Sequence, residues 1–403
     1  MTTSQIEAPE RLHALDAVRA GALLLGVAFH ASLSFLPGPQ IWVVRDVESG
    51  GVLDFFFVAH IFRMAAFFLI AGFFGRMLIE RRGTAGFIRN RLGRIALPLL
   101  AFWPIAMVGI VACFIWGAVV MNGGTPPTNS PPPPPMTAET FPLTHLWFLY
   151  MLLWLYAGAL ALRVLGRLVD RDGRVLDSAI RLLTATPFGA VVLAAPLAIA
   201  LAYQPGWFAW GGIPTPDKGF IPNATALIGF GTAFGFGWLL HRQQELLDNL
   251  RRWFPVHLIA ALALTIACLW QLGSSSYITP MAEGGAKTVF AATYALAVWS
   301  WTLGLTGAAL RFLTRERPAV RYVADASYWI YLIHLPVVMA LQVLVYPVQA
   351  PGPVKLAIVV AGAFLILLAS YHLLVRHSWI GKWLNGRKLP WRSASPAMET
   401  QPA

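Results

Sequence analysis

Apolar residues in this chain come in blocks of twenty or so, and polar residues gather between the blocks. A membrane-crossing helix needs about 20 mostly apolar residues. Ten blocks meet that length, at 13–36, 52–78, 93–120, 142–162, 186–203, 221–240, 254–272, 286–310, 327–346 and 353–375. The pattern predicts an all-α, polytopic integral membrane protein of about 10 transmembrane helices. Residues 1–12 precede the first span, a single ten-helix membrane domain covers 13–376, and a basic tail over 377–403 is expected to be disordered. The first block is too long for a signal-peptide core, contains ions and lacks a clear cleavage site, so it is expected to be retained.

Lys and Arg set the orientation. Twenty-four of them fall in the N-terminus, the alternate connections and the tail, four (Arg45, Lys218, Lys287, Lys355) fall in the opposite connections, and Arg19 and Arg63 lie inside blocks. By the positive-inside rule both termini are cytoplasmic, which requires an even number of spans. Composition agrees. Of 403 residues 57% are hydrophobic and only 12% charged, where soluble domains carry about 25% charged residues. The net charge of +12 is therefore read as topology, with the lipid bilayer as partner and no nucleic acid. Cys113 and Cys268 sit in separate spans and form neither a disulfide framework nor a metal site. The connections without positive charge differ in kind. Pro131 to Pro135 predicts an extended polyproline-type segment. Trp207, Phe208 and Trp210 suit either stacking on sugar rings or an interfacial aromatic belt.

Ionisable residues inside spans are costly, by roughly 2.5–3.5 kcal/mol on insertion scales, and usually mark function. The first span carries Asp16, Arg19 and His30. An eleven-residue separation is about three helical turns, so Arg19 and His30 share one face about 16 Å apart along the axis. The second span carries His60 and Arg63, three apart and on one face. Arg63 needs an anion, either a carboxylate on another helix or a substrate. Arg91 and Arg94 stand at the mouth of the third span, where helical spacing suits either a grip on phosphates or simple anchoring. His145 and Trp147 open the fourth span, and His334 lies just before a Leu335-Pro336 step that frees backbone carbonyls. Each of these histidines suits either a site or an interhelical hydrogen bond. Gly231 and Gly235 form a small-xxx-small step for close helix approach. Zinc-spaced ligands, phosphate loops and paired carboxylates are absent from the sequence.

Taken in order, these residues resemble a known family. Leu15-Asp16-Ala17-Val18-Arg19 followed by His30 is similar to the Arg-x10-His signature of the membrane acyltransferase-3 family, and Arg91-x-x-Arg94 to its Arg-x-x-Arg pair. Phe62-Arg63-Met64, His145-Leu146-Trp147 and Tyr331-Leu332-Ile333-His334 resemble elements of its glucan biosynthesis protein C branch. The resemblance implies an enzyme: an acyltransferase for groups other than aminoacyl. It would move a short acyl group, succinyl or acetyl, from cytoplasmic acyl-CoA to hydroxyls of a periplasmic glucan or other carbohydrate. No metal is implied. On this reading His30 acts as base or acyl carrier, Arg19 is held by Asp16 and grips the CoA end, Arg91 and Arg94 take CoA phosphates, and Arg63 faces the oxyanion or a succinyl carboxylate. His60, His145, Trp147 and His334 would bind the acceptor. Two other classes explain the same residues. In a transporter or flippase for an anionic metabolite or lipid-linked sugar, Arg and His would be ligands or proton relays; in a structural subunit, His30 would be dispensable.

Overall fold

The computed structural model describes residues 8–128, 135–170, 172–273, 278–315 and 317–386. Among them are twelve α-helices and no strand. These are α1 (Ala8–Ser32), α2 (Gly50–Arg91), α3 (Leu97–Met121), α4 (Trp147–Val169), α5 (Arg174–Ala185), α6 (Gly189–Ala202), α7 (Ala224–Leu240), α8 (Leu247–Leu272), α9 (Gly285–Phe312), α10 (Pro318–Val345), α11 (Gly352–Ser370) and α12 (Trp379–Asn385). Seven helical stretches are long and apolar enough to cross a membrane, or up to eight with the α5–α6 pair, which bends by 106°. The chain is thus a helical, multi-pass membrane protein. Two of the stretches, 72 and 49 residues long, are broken internally. In α2 the break is Gly83, whose φ of 64° and ψ of 178° leave the helical region. Only glycine adopts that geometry at little cost. A π-turn over Leu92–Ala96 then leads into α3, and Gln243 breaks the path from α7 to α8.

The core is aromatic; α9 packs on α8, α6, α2 and α1, α2 packs on α7 and α1, and α1 also meets α10 and α11. α2 contributes Phe57, Phe68 and Phe73, all fully buried. Large side chains such as Val108 and Ile259 point outward instead, as lipid-facing positions should. The close approach of α2 and α7 uses glycines other than those expected. Side chains at Gly72 or Gly237 would overlap the backbone carbonyls of Phe234 and Leu69, whereas Gly235 has open space and Gly231 only ordinary contact with Leu155. Each helix therefore offers one notch to the other's backbone.

Polar groups lock the connections. Lys355 on α11 forms an ion pair with Asp46 at 2.6 Å, with both side chains buried, and donates to the Tyr346 carbonyl at 2.8 Å. Lys287 on α9 likewise bonds Glu283 and the Gln204 carbonyl, each at 2.7 Å. The aromatic loop before α7 is core rather than belt or sugar platform at two of its three rings. Trp207 and Trp210 are buried, with Trp207 Nε1 donating to the Gly212 carbonyl at 2.7 Å, and only Phe208 is exposed. The expected polyproline run lies outside the described residues at 131–134. Of the tail, 387–403 also lies outside them, while Trp379–Asn385 near its start folds as α12.

Removing one partner of a buried ion pair costs roughly 3–5 kcal/mol, because a lone charge remains. Lys355→Met should therefore lower the melting temperature of detergent-solubilised protein sharply, and Lys355→Met with Asp46→Leu should recover most of it. A single variant that melts with the parent would show that the pair contributes nothing. Gly237→Val should prevent accumulation in the membrane by overpacking, while Gly235→Val accumulates normally; equal levels on an immunoblot would contradict the notch.

Candidate functional site

The site is organised by one proline. Pro336 has no backbone N–H, so the carbonyl four residues earlier, that of Leu332, loses its helical partner. His145 supplies the replacement, with Nε2 3.2 Å from the Leu332 oxygen. A carbonyl only accepts, so the proton sits on Nε2 of His145. The Tyr331 hydroxyl donates back to the His145 carbonyl at 2.7 Å. Thr144, just before, has φ of 53° and is the one non-glycine described residue with positive φ. A β-branched residue there is strained, and such strain persists only when the surroundings fix it. The two bonds to α10 do so.

His334 is held in a defined tautomer as well. Its Nδ1 lies 2.8 Å from the Tyr331 carbonyl, which places the proton on Nδ1. Its Nε2 lone pair is buried and has no protein partner. The His334 ring lies between two others, 5.0 Å from His145 and 5.2 Å from His30 between centroids. His30 also stacks on Trp42 at 6.1 Å and meets Phe29 edge-on. The three rings thus come from three elements: α1, α10 and the turn into α4.

Phe29 separates this row from a second pair on α2. The Arg63 guanidinium lies over the Phe29 ring at 4.4 Å, and the His60 ring meets Phe29 edge-on at 5.0 Å. A Cβ on Gly26 would stand 2.8 Å from Arg63 Nη1, so glycine makes the room for this arginine beside α1. Arg63 has no carboxylate partner among the described residues, which removes the interhelical ion pair. Four buried nitrogens here lack a protein hydrogen bond: His30 Nδ1, His60 Nδ1, His334 Nε2 and Arg63 Nε. Each such group costs several kcal/mol in an apolar interior unless a ligand or water satisfies it. His30, His60 and Arg63 keep some accessible surface, whereas His145 and His334 are buried.

Two residues missed in the sequence reading hold His30 in place. Gln342 Nε2 donates to the carbonyls of His30 at 3.2 Å and Ala31 at 3.0 Å, in the last turn of α1. Trp42 Nε1 completes the amide by donating to Gln342 Oε1 at 2.9 Å. A lone Gln in an apolar span was the available signal.

The remaining expected site residues lie elsewhere. Arg19 pairs with Asp16 at 3.1 Å on a partly exposed face and approaches Phe74, about three turns from His30. Arg91 turns to α4, donating to the Tyr156 hydroxyl at 3.2 Å and lying over its ring. Arg94 instead lines a separate pocket at the Arg-rich end. The π-turn splays the two, so their three-residue spacing does not make a common grip. Trp147 is a packing residue, stacked on Phe230 and close to Phe68, with no ring contact to the histidines. Among the described residues no three His, Cys, Asp or Glu groups have metal-binding geometry.

Comparison with known proteins is consistent with this arrangement. The chain shares 37% identity over 98 residues with the glucans biosynthesis protein C of Escherichia coli strain K12, covering 24% of this chain and 25% of that protein. The homologue of that name from Escherichia coli O1:K1 is 36% identical over 98 residues, with the same coverage. The match thus spans about a quarter of these relatives. No solved structure matches. Residues 12–375, which contain every group of the site, match the acyltransferase-3 family model, described as an acyltransferase domain, and the chain belongs to that family of membrane acyltransferases.

Proposed function

We propose that the protein transfers a short acyl group, succinyl or acetyl, from acyl-CoA on the cytoplasmic side of a bacterial inner membrane to a hydroxyl of a glucan or other carbohydrate on the far side. Ten crossings with both ends in the cytoplasm fit this reading, because the 72- and 49-residue stretches each have room for two and the bent pair for one. The glucan acceptor rests on the name of the partial relatives. The observation that carries the proposal is the convergence of the unpartnered nitrogens of His30, His334 and Arg63 around Phe29 and Trp42.

Acyl transfer to a sugar needs a base at the hydroxyl and a cation at the carbonyl oxygen. Histidine suits the first role because its ordinary pKa is about 6.5. In this scheme His30 removes the hydroxyl proton while His334 Nε2 accepts a hydrogen bond from the sugar. The freed oxygen attacks the thioester carbon, a C–O bond forms, and the negative charge moves to the carbonyl oxygen. Arg63 faces that oxyanion. Collapse breaks the C–S bond, and the CoA thiolate leaves with the proton that His30 took. With a succinyl donor, Arg63 could instead bind the free carboxylate. His60 then borders the acceptor. The Asp16–Arg19 pair stands on the donor side of His30.

Mass spectrometry of the periplasmic carbohydrate tests this directly. His30→Ala at matched membrane levels should reduce the acyl mass increment by about 10²–10⁴-fold, the range for general acid–base catalysis. An unchanged increment removes His30 from the chemistry, and no increment in either strain favours transport. Arg63→Gln should cut acyl-CoA turnover by about 10²–10³-fold, as loss of one oxyanion donor does. Turnover equal to the parent would leave Arg63 a packing residue.

A further inference from the structure

A histidine that removes a proton needs its ring held at a fixed angle, and a common device is a carboxylate bonded to the second ring nitrogen. His30 has none. Its Nδ1 lacks a protein partner, and no carboxylate meets its ring among the described residues. Packing sets the ring instead. Trp42 lies within 16° of parallel to it at 6.1 Å between centroids, Phe29 meets it edge-on at 5.2 Å, and His334 stands 5.2 Å away. Of these three only Trp42 comes from a loop.

That loop, 36–49, is anchored along its length. The Asp46 N–H donates to the Ser34 carbonyl at 2.9 Å and the Ser49 N–H to that of Phe35 at 3.0 Å. A Cβ on Gly117 of α3 would overlap the Val43 carbonyl, and one on Gly352 of α11 would stand 2.7 Å from that of Val47. Asp46 is also paired with Lys355. The indole is fixed by its own N–H. Gln342 is buried, its Nε2 donates to the carbonyls of His30 and Ala31, and its Oε1 accepts from Trp42 Nε1. Turning this amide over would set oxygen against two carbonyls and nitrogen against an N–H, so one orientation fits. A single amide thus ties the indole to the backbone of the residue whose ring it faces.

We propose that Trp42 is a positioning residue that orients the His30 imidazole, the part a carboxylate takes beside other histidine bases, and that Gln342 keeps the indole in register with α1. This rests on the acyl-transfer reading. An indole does the task without bringing a further charge into the membrane.

The test uses purified full-length protein in detergent. Steady-state transfer is measured with acyl-CoA and a glucan oligosaccharide, and carbethoxylation of His30 by diethyl pyrocarbonate is followed by mass spectrometry. Trp42→Leu should lower kcat about 10²-fold, as a displacement of about 1 Å does, with both KM values unchanged. It should also speed carbethoxylation of His30 several-fold. Trp42→Phe keeps a ring and should recover most of kcat. Gln342→Met should lower kcat, and adding Trp42→Phe to it should lower kcat no further, because the indole N–H acts through that amide. Parental kcat or a parental His30 modification rate in Trp42→Leu overturns the proposal. So does a raised acceptor KM at parental kcat, which would make Trp42 a sugar contact. Should Trp42→Leu fail to accumulate, the cycle of Trp42→Phe and Gln342→Met decides, and additive losses overturn the proposal. If the parent and Trp42→Leu turn over acyl-CoA alike, the positioning role fails and acyl transfer stands. If no sample turns over acyl-CoA while Trp42 still shields His30 from carbethoxylation, acyl transfer fails and the hold on His30 stands.

Discussion

A backbone carbonyl inside a membrane must find a hydrogen-bond donor within the protein. In α10 a proline removes the donor that Leu332 would otherwise have, and the histidine at the mouth of α4 takes its place. Much of the site follows from that one substitution of partners. It fixes the His145 tautomer, ties the strained Thr144 turn to α10, and sets the His145 ring edge-on to His334. Two carbonyls in the last turn of α1 are met by Gln342, which seats His30 on the other side of His334. The histidine row is therefore assembled by satisfying the backbone.

The same rule separates groups that stabilise the fold from groups available for chemistry. Lys355 and Lys287 are buried, and each has a carboxylate and a carbonyl as partners. Arg63 has an aromatic face and no carboxylate among the described residues. In the proposed acyl transfer that cation is the group held ready for an anion. Such an arrangement is the price of preorganisation.

What could be read in the sequence was what is expensive in isolation. Arg63, His30 and His334 stand out because an ionisable side chain in an apolar run needs a reason wherever the helices end up. Groups whose meaning depends on a distant partner were not legible. Gln342 acts through residues more than three hundred positions away, and Gly26 matters only because Arg63 lies beside it. Gly72 and Gly237 carry the helix contact that Gly231 and Gly235 promised, since a small-residue spacing does not say which face meets a neighbour. Arg91 and Arg94 share a face only on an unbroken α-helix, and the π-turn removes that premise. Trp147 was ambiguous for a different reason: an aromatic ring packs and binds with the same surface.

The Lys355–Asp46 pair joins residues 309 positions apart, which imposes an order on assembly. During synthesis Asp46 emerges early, and its partner arrives only when α11 has been made. Until then a carboxylate in that buried place would be uncompensated, so the loop that carries it stays in water. Trp42 belongs to the same loop and waits with it, because Gln342, its own hydrogen-bond partner, is also among the last residues to be inserted. The ring that stacks on His30 is thus put in place at the end. Without α10 and α11, His30 has neither His334 beside it nor Gln342 on its carbonyl, and nothing holds the Trp42 ring over it.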